Sequence, residues 1–319
     1  MISGLFSDRS VSVTTFGRLH LGFFDLSQQS IRRFGSMGVS IDAFQTSLTA
    51  SFGTLGNELP WLNALLQRHL QGLTTPAEVR LQLHQAIPRH GGLGSGTQMA
   101  LAVGAAVNSL LGYSVNPAEI AARHDRGGRS GIGIATFAHG GLILDGGKGP
   151  ATVVPPMLAR YAFPDKWCFL LMMQTGLVGV HGLQEKTAFQ QLKPHTLAET
   201  QALAHQVLMH GLPALQEQDF EVFAAVVGAL QDYNGTYFAS AQGGRYASPA
   251  VTQVITYLKQ QGHVGLGQTS WGPTGFVMMP TRASAHALKE QLLIRFSSLD
   301  LDYHIVHAVN HGALLSIHD

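Results

Sequence analysis

The chain has 319 residues, of which 45% are apolar and 12% are charged, so most of it is expected to be buried in one large or two ordinary globular domains. The net charge of +1 gives no reason to expect a nucleic acid or an anionic membrane as partner. The single cysteine, Cys168, excludes a disulfide within the chain and is expected to be a buried thiol. No signal-peptide pattern and no membrane-spanning apolar run is present, so the sequence predicts a cytoplasmic protein.

The first half of the chain predicts alternating strands and helices. "VSVTTFGRLHLGFFDL" begins with strand alternation and reaches a polar turn at Asp25. Apolar residues at helical spacing predict a helix over 59–70, and "VRLQLHQAI" predicts a half-buried strand that ends before Pro88. A glycine loop follows, then a helix from Thr97 to Gly112, a second helix capped by Asn116, and a buried strand in "GGLILDGG".

A proline-rich stretch, "PPMLARYAFPDK", is the best candidate for a boundary, and it predicts domains at residues 1–160 and 161–319. Beyond it the pattern predicts a core strand in "WCFLLMMQ", a strand–turn–strand unit in "GLGQTSWGPTGFVMMP", and closing strands at the end of the sequence. Helices are predicted at about 196–210, 219–232, 248–261 and 283–296. This alternation favours an α+β protein of two sandwiched domains.

The segment "PRHGGLGSGTQMALAVG", which begins at Pro88, is typical of an anion site. A glycine-rich turn before a helix presents free backbone N–H groups and the positive end of the helix dipole, and both favour phosphate. Gly92, Gly94, Ser95, Gly96 and Thr97 are the candidate phosphate-binding residues. The alternative is a tight connection without a ligand. The loop lacks the lysine of a Walker motif and does not match the dinucleotide fingerprint.

The same segment resembles the second motif of the GHMP superfamily of small-molecule kinases, and "GQTSWGPTGF" resembles its C-terminal glycine motif. Within the superfamily, "GRLHLGFFDL", "RGGRSGIGIATFAHGGLILDGG" and "GVHGLQEKTAF" resemble the β-ribofuranosylaminobenzene 5′-phosphate synthases of methanopterin biosynthesis. The resemblance covers about residues 17 to 276. It implies a ribosomal-S5-like N-terminal domain and a ferredoxin-like C-terminal domain.

This family resemblance also implies an activity. The family joins 5-phosphoribosyl 1-diphosphate to 4-aminobenzoate and releases diphosphate and carbon dioxide, for tetrahydromethanopterin synthesis. It implies Mg²⁺ with the diphosphate, no organic cofactor and a homodimer, with small-molecule substrates and neither nucleic acid nor membrane as partners. We therefore expect a pentosyltransferase.

The kinase alternative is weakened by one position. Kinases of the superfamily that use a catalytic aspartate carry it in a Ser-Gly-x-Asp turn, and the equivalent turn here, 130–133, ends in Gly133. A glycine cannot orient or deprotonate an acceptor hydroxyl. Some superfamily kinases work without that carboxylate, so an ATP-dependent kinase stays an alternative. A catalytically silent ligand sensor is the other.

The resemblance makes Arg18, His20 and Asp25 the candidate catalytic residues, whereas their residue types alone favour an ordinary ion pair at a strand end. Arginine suits a carboxylate or phosphate, and an aspartate suits a ribosyl cation or Mg²⁺. Candidate metal ligands are Asp25, Asp145 and Glu185, although an aspartate before Gly-Gly is more often a turn former. The remaining candidates for substrate binding are Arg33, His90, Arg129, Ser130, Glu185, Ser270 and Thr274.

Overall fold

The computed structural model describes residues 9–54, 59–74, 78–174, 176–177, 192–270 and 272–319. The strands are β1 Ser10–Phe23, β2 Ser36–Phe52, β3 Val79–Gln85, β4 Leu142–Asp145, β5 Met157–Tyr161, β6 Cys168–Gln174, β7 Leu266–Gln268, β8 Gly275–Met279, β9 Leu301–His307 and β10 Leu314–His318. The helices are α1 Pro60–Leu70, α2 Ser95–Leu110, α3 Pro117–Arg123, α4 Ile132–His139, α5 Leu197–Gln206, α6 Leu212–Glu217, α7 Phe220–Gln242, α8 Pro249–Gln260 and α9 Arg282–Arg295.

The first sheet has the order β10-β1-β2-β4-β5, with β3 also paired to β2. All of its pairings are antiparallel. The last strand, β10, lies beside β1, with Ser10 opposite His318. This pairing crosses the predicted division at residue 160, because β10 joins the sheet of the first half. A strand that pairs across nearly the whole sequence leaves no local signal of its partner.

The second sheet has the order β7-β8-β6-β9 and is also antiparallel. In chain order these are its second, third, first and fourth strands, which is the ferredoxin-like arrangement that the resemblance implies. α8 and α9 cover one face of this sheet and share a core with Cys168, Leu170 and Met172. Cys168 is fully buried, as predicted.

The two halves share a continuous core. α1, α2 and α3 bury one face of the first sheet, with Val11, Val13 and Leu48 beneath them. The other face, which includes Leu19 and Leu21, packs against α7 and the second sheet. Because β1 is buried on both faces at this point, side chains near its end lie where the two halves meet. No helix of the described chain is long and apolar enough to cross a membrane.

Several elements differ from the sequence prediction. The strand β2 was not predicted, because its mixture of serine, threonine and glycine hides the alternation. The stretch predicted to be irregular contains β5, and the turn after residue 130 continues into α4. The helix predicted over 196–210 is interrupted by π-helical residues Val207–Gly211, and the one predicted to end at 232 continues to Gln242.

Candidate active site

The two glycine motifs contact each other directly. A Cβ on Gly92 would lie 2.4 Å from the carbonyl oxygen of Thr269 and 2.8 Å from the Cα of Gly272. The Thr274 hydroxyl donates to the carbonyl of Gly91 at 2.7 Å, and the Thr269 hydroxyl donates to that of Gly92 at 3.0 Å. The loop from the first half is thus held by the motif from the second half through backbone packing that only glycines permit.

This packing gives a structural role to Gly92 and Thr274, both of which were predicted to bind a ligand. Gly92 has a φ of +80° and approaches another backbone closely, so its lack of a side chain is required by packing. Thr274 is fully buried, and its hydroxyl donates to the loop. These two residues therefore have a structural role, and their predicted ligand contacts stay predictions.

The N-terminus of α2 follows this contact. Gly94, in the left-handed region with a φ of +86°, is the residue that precedes the helix, and its carbonyl accepts from the amides of Thr97 and Gln98. The first amides of a helix, here those of Ser95 and Gly96, have no intrahelical acceptor and can bind an anion. Ser95, Gly96 and Thr97 are partly or fully accessible.

Arg18 lies against this loop. Its backbone amide donates to the carbonyl of Leu93 at 3.0 Å, and its guanidinium donates to the carbonyl of Gly92. A Cβ on Gly94 would lie 3.2 to 3.4 Å from Cγ, Nε and Cζ of Arg18. The residue that the sequence placed at a strand end is therefore beside the predicted phosphate loop, where a cation supports an anion site.

His20 is the buried neighbour of Arg18. Its side chain is 4% exposed, its ring lies 4.6 Å from that of Phe23, and its backbone amide donates to the Thr269 hydroxyl at 2.9 Å. Burial, with the charges of Arg18 and Arg129, lowers the pKa of His20 to about 3. The imidazole is therefore neutral at physiological pH, and its buried Nε2 has no hydrogen-bond partner among the described residues. The charge of Arg129 therefore acts on the same imidazole as that of Arg18.

Asp25 and Arg33 form a second group beyond the end of β1. Asp25 is half-buried, its carboxylate accepts from the amide of Ser27 at 3.1 Å, and burial raises its pKa although Arg33 acts in the opposite direction. The guanidinium of Arg33 lies 5.0 Å from the ring centroid of Phe34. The Phe34 ring contacts Phe23 at 5.7 Å, so an aromatic cluster connects this group to His20.

Asp145 is a structural carboxylate. It is fully buried and accepts hydrogen bonds from the hydroxyls of Ser36 and Ser130, at 2.6 and 3.0 Å, and from the amides of Gly131 and Gly147, at 2.7 and 2.9 Å. Because both oxygens are occupied by protein donors, Asp145 does not fit the predicted role of a magnesium ligand. The Ser130 hydroxyl, predicted to bind substrate, instead joins Asp145 to the start of α4.

The turn equivalent to the kinase aspartate lies against α2. A Cβ on Gly133 would lie 3.2 Å from the methyl group of Thr97, and the Gln98 side chain donates to the Gly133 carbonyl at 2.7 Å. A side chain at position 133 would therefore point at the phosphate loop. This chain has a glycine there and places no carboxylate at that position.

The other predicted residues are placed as follows. His90 is exposed, with a φ of +63°, on the turn before the loop, and Ser270, with a φ of +56°, lies near His20 in the C-terminal motif. Glu185 lies outside the described residues. The described residues contain no group of three or more His, Cys, Asp or Glu side chains that could hold a metal ion.

Sequence reasoning missed two residues at the site. Thr269 joins the amide of His20 to the loop carbonyl of Gly92 through one hydroxyl, and its position in the second glycine motif was the available signal. Arg126 places two guanidinium nitrogens 3.3 Å from where a Cβ of Gly96 would be. It lies three residues before Arg129, in the same arginine- and glycine-rich segment, but its helix-end position resembles a surface charge.

Comparison with known proteins agrees with this architecture. Residues 61–141 match the GHMP kinases N terminal domain, and residues 212–298 match the GHMP kinases C terminal domain. The structure resembles homoserine kinase from Cytophaga hutchinsonii, with a TM-score of 0.67 at 15% identity over 96% of this chain and 97% of the other. It also resembles mevalonate diphosphate decarboxylase from Staphylococcus aureus, with a TM-score of 0.64 at 14% identity over 97% and 98%. At these identities the likeness shows the fold alone.

Closer relatives carry a different name. The chain is 30% identical to a beta-ribofuranosylphenol 5'-phosphate synthase from Methanothermobacter thermautotrophicus over 82% of this chain and 86% of the relative. It is 35% identical to the protein of that name from Methanocaldococcus jannaschii over 61% of this chain and 62% of the relative. It is 40% identical to the one from Archaeoglobus fulgidus over 45% of this chain and 49% of the relative. The chain is therefore a member of the GHMP superfamily and, within it, of the ribosyl-phosphate-transferring β-ribofuranosylphenol 5′-phosphate synthase family.

Proposed function

We propose that this chain condenses 5-phosphoribosyl 1-diphosphate with a benzoate that carries an amino or hydroxyl group at position 4, and that it releases diphosphate and carbon dioxide. The observation that carries the proposal is what surrounds the glycine loop. Arg18 and neutral His20 lie there and the charge of Arg129 acts on His20, whereas position 133, which faces the loop, has no carboxylate. Such a site is suited to phosphate but lacks the base that many kinases of the superfamily use.

The reaction balances without a redox partner. The bond from C1 of the ribose to the diphosphate oxygen breaks, and its electron pair leaves with the diphosphate. The ring carbon that bears the carboxylate bonds to C1, and the electrons of the carbon–carboxylate bond restore the aromatic ring as carbon dioxide departs. The site must therefore bind anions, stabilise positive charge at C1 and position two molecules, all of which electrostatics and orientation can supply.

Each of these requirements is assigned here to particular residues that the structure describes. Arg18, Arg129 and the N-terminus of α2 hold phosphate, because a desolvated cation and free helix amides both favour an anion. Asp25, a half-buried carboxylate, is the group we assign to the developing charge at C1. Neutral His20 is available as a hydrogen-bond partner that does not add to the positive charge.

The acceptor is the finer part of the proposal. The resemblance implies 4-aminobenzoate, whereas the relatives are named for a phenol product, which has a hydroxyl in place of the amino group. A pocket that hydrogen-bonds to one of these groups can discriminate against an analogue that leaves its buried partner unsatisfied. We keep 4-aminobenzoate as the first acceptor to test and 4-hydroxybenzoate as its competitor.

The proposal includes the conditions in which the enzyme acts. We expect Mg²⁺ to enter as the counter-ion of the diphosphate, since Asp145 is occupied by protein donors and the described side chains form no metal cluster. No organic cofactor is proposed. We further propose a cytoplasmic homodimer that serves tetrahydromethanopterin synthesis, with small molecules as its partners.

The deciding experiment uses carboxyl-labelled acceptor. The protein is incubated with phosphoribosyl diphosphate, Mg²⁺ and either 4-aminobenzoate or 4-hydroxybenzoate, and labelled carbon dioxide is trapped while the ribosylated product is identified by mass. We expect release that depends on the ribosyl donor. Absence of release with both acceptors, from a folded protein, would reject the synthase function and favour a ligand sensor.

A further inference from the structure

A cavity of about 380 Å³ lies beside the glycine loop, between α1 and the start of α2. Its walls combine the apolar side chains of Trp61, Leu65 and Met99 with three arginines, Arg68, Arg89 and Arg126. Ser95 and Gly96, the first residues of α2, complete it. None of its three arginines was among the residues predicted from the sequence.

Arg126 is the central cation of this cavity. Its guanidinium is next to Gly96, and its buried Nε has no hydrogen-bond partner among the described residues. Burial lowers the pKa of Arg126, and the charge of Arg68 acts in the same direction. A cation that is partly removed from water without a hydrogen-bonded counter-charge is costly unless an anion binds to it.

The other two arginines are held in place by contacts that leave the cavity cationic. Arg68 pairs with Asp125 and donates through Nε to the carbonyl of Arg123 at 2.9 Å. Arg89 lies 4.9 Å from the ring centroid of Trp61. The charge of Arg68 is balanced by Asp125, whereas the charges of Arg89 and Arg126 add to the positive end of the α2 dipole. The apolar wall lowers the local dielectric, which strengthens the attraction for an anion.

Arg18 and Arg126 contact alternate residues of the loop, Gly94 and Gly96. The start of α2 therefore has an arginine beside each of these two glycines. We propose that the cavity around Arg126 binds the diphosphate group of the ribosyl donor, while Arg18 and Arg129 hold its 5-phosphate. This inference rests on the proposed function for the identity of the donor.

The reason for this assignment is charge. The diphosphate is the most highly charged part of the donor and becomes the leaving group, so the greatest density of cations stabilises both its binding and its departure with the electron pair of the C1–oxygen bond. Arg126 then acts on the leaving group, and C1 lies over the loop between the two arginines. The acceptor approaches from the side of His20.

The first test measures binding of inorganic diphosphate and of orthophosphate by calorimetry, in wild type, Arg126→Gln and Arg295→Gln. Arg295→Gln is the matched control, because it removes the same charge at a position far from Arg126 in the sequence. Arg295 is exposed and stacks on Tyr257. We expect wild type to prefer diphosphate, Arg126→Gln to bind it about tenfold more weakly or worse, and the control to be unchanged. Unchanged diphosphate affinity in folded Arg126→Gln would overturn the assignment.

A second variant keeps the arginine and covers the case in which Arg126→Gln does not fold. Gly96→Val places a Cβ 3.3 Å from two guanidinium nitrogens and must displace them, at a helical position that tolerates a side chain. We expect the same loss of diphosphate binding. Tighter, Arg126-dependent binding of ATP than of diphosphate would instead identify a nucleotide pocket and overturn the proposal.

Kinetics separate this inference from the proposed function. If carbon dioxide is released, Arg126→Gln should raise KM for the ribosyl donor and leave KM for the acceptor unchanged, whereas a defect confined to the acceptor would contradict the cavity assignment. If no carbon dioxide is released by any variant but diphosphate binding depends on Arg126, the synthase function fails and the diphosphate pocket stands.

Discussion

The hydroxyl of Thr274 donates to the carbonyl of Gly91 across 2.7 Å, and this bond joins two motifs that are separated by more than half of the sequence. Since the hydroxyl is buried, its removal leaves a loop carbonyl without a donor. The position of the phosphate loop therefore depends on a residue that is not expected to touch the substrate.

Thr274→Val tests this dependence. It keeps the shape of the side chain and removes the donor, so we expect a loss of about 1–3 kcal/mol in the free energy of unfolding and a higher KM for the ribosyl donor. Thr256→Val is the control, because the hydroxyl of Thr256 donates to a backbone carbonyl on the exposed face of α8. Equal KM values in the two variants would show that the loop holds its position without Thr274.

Gly94→Ala should impair the site beyond its effect on stability. At a φ of +86° alanine is strained by about 1–2 kcal/mol, and its Cβ also meets Arg18. Gly112→Ala, at a φ of +77° with open space around it, carries the strain alone. We expect similar losses in thermal unfolding for the two variants but a large loss of activity only for Gly94→Ala. Equal activities of Gly94→Ala and Gly112→Ala would show that the contact between Gly94 and Arg18 is not needed for activity.

Arg18→Lys should keep the positive charge but lose the planar guanidinium that fits the loop carbonyl and a phosphate together, and Arg18→Ala should lose both. We expect alanine to be the worse variant, at roughly 2–5 kcal/mol in kcat/KM for a desolvated site. Arg32→Ala is the control, since Arg32 also donates to backbone carbonyls, those of Gly146 and Gly147. If Arg18→Ala and the control have the same kinetics, Arg18 has only a structural role.

The stability of the protein should depend on His20 in mild acid. The imidazole takes up a proton near pH 6.5 in the unfolded state but only at about pH 3 in the folded state. The unfolded state therefore binds more protons between these two pH values. Stability therefore falls as pH falls through this window, by up to about 1.4 kcal/mol per pH unit for this group.

Denaturant unfolding between pH 6 and pH 4 provides the measurement. His20→Asn should show a shallower dependence on pH than wild type, while the exposed control His286→Asn should keep the wild-type slope. His124, whose pKa is lowered to about 4 mainly by burial, contributes in the same direction and remains in both variants. Titration of the His20 ring by NMR near pH 6.5 would refute the assignment of a neutral buried imidazole.

Asp145→Ala should destabilise the protein without affecting a metal site. It leaves two hydroxyls and two amides without their acceptor, and we expect a loss of at least about 3 kcal/mol in the free energy of unfolding. Asp232→Ala removes a surface carboxylate paired with Lys259 and should cost less than about 1 kcal/mol. Mg²⁺ should shift the melting temperatures of wild type, Asp145→Ala and Asp232→Ala equally. A shift that Asp145→Ala alone lacks would restore Asp145 as a metal ligand.

The fold and the loop could be predicted because their signals are local. Glycines at 91, 92, 94 and 96, a strand before them and a helix after them lie within one short segment. The roles of single side chains depended on contacts that no spacing reveals. Asp145 and Ser130 bond to each other rather than to a ligand, and Arg126 reaches the loop from the end of α3. Polar residues near a site can support the backbone as readily as they bind substrate, and only their partners distinguish the two.

The pairing of β10 with β1 has a consequence for folding. Arg18 and His20 lie on β1, and the first residues of that strand pair with β10, which comes from the other end of the sequence shown, as in the pair Ser10 and His318. Until that strand arrives, β1 has one open edge, which is a site for pairing with a wrong chain. Contacts between the ends of a chain also slow folding, because a long loop must close before they form. The strand that holds Arg18 and His20 is therefore completed only when this long-range pairing forms, so the pairing of β10 is expected to be a late step in folding.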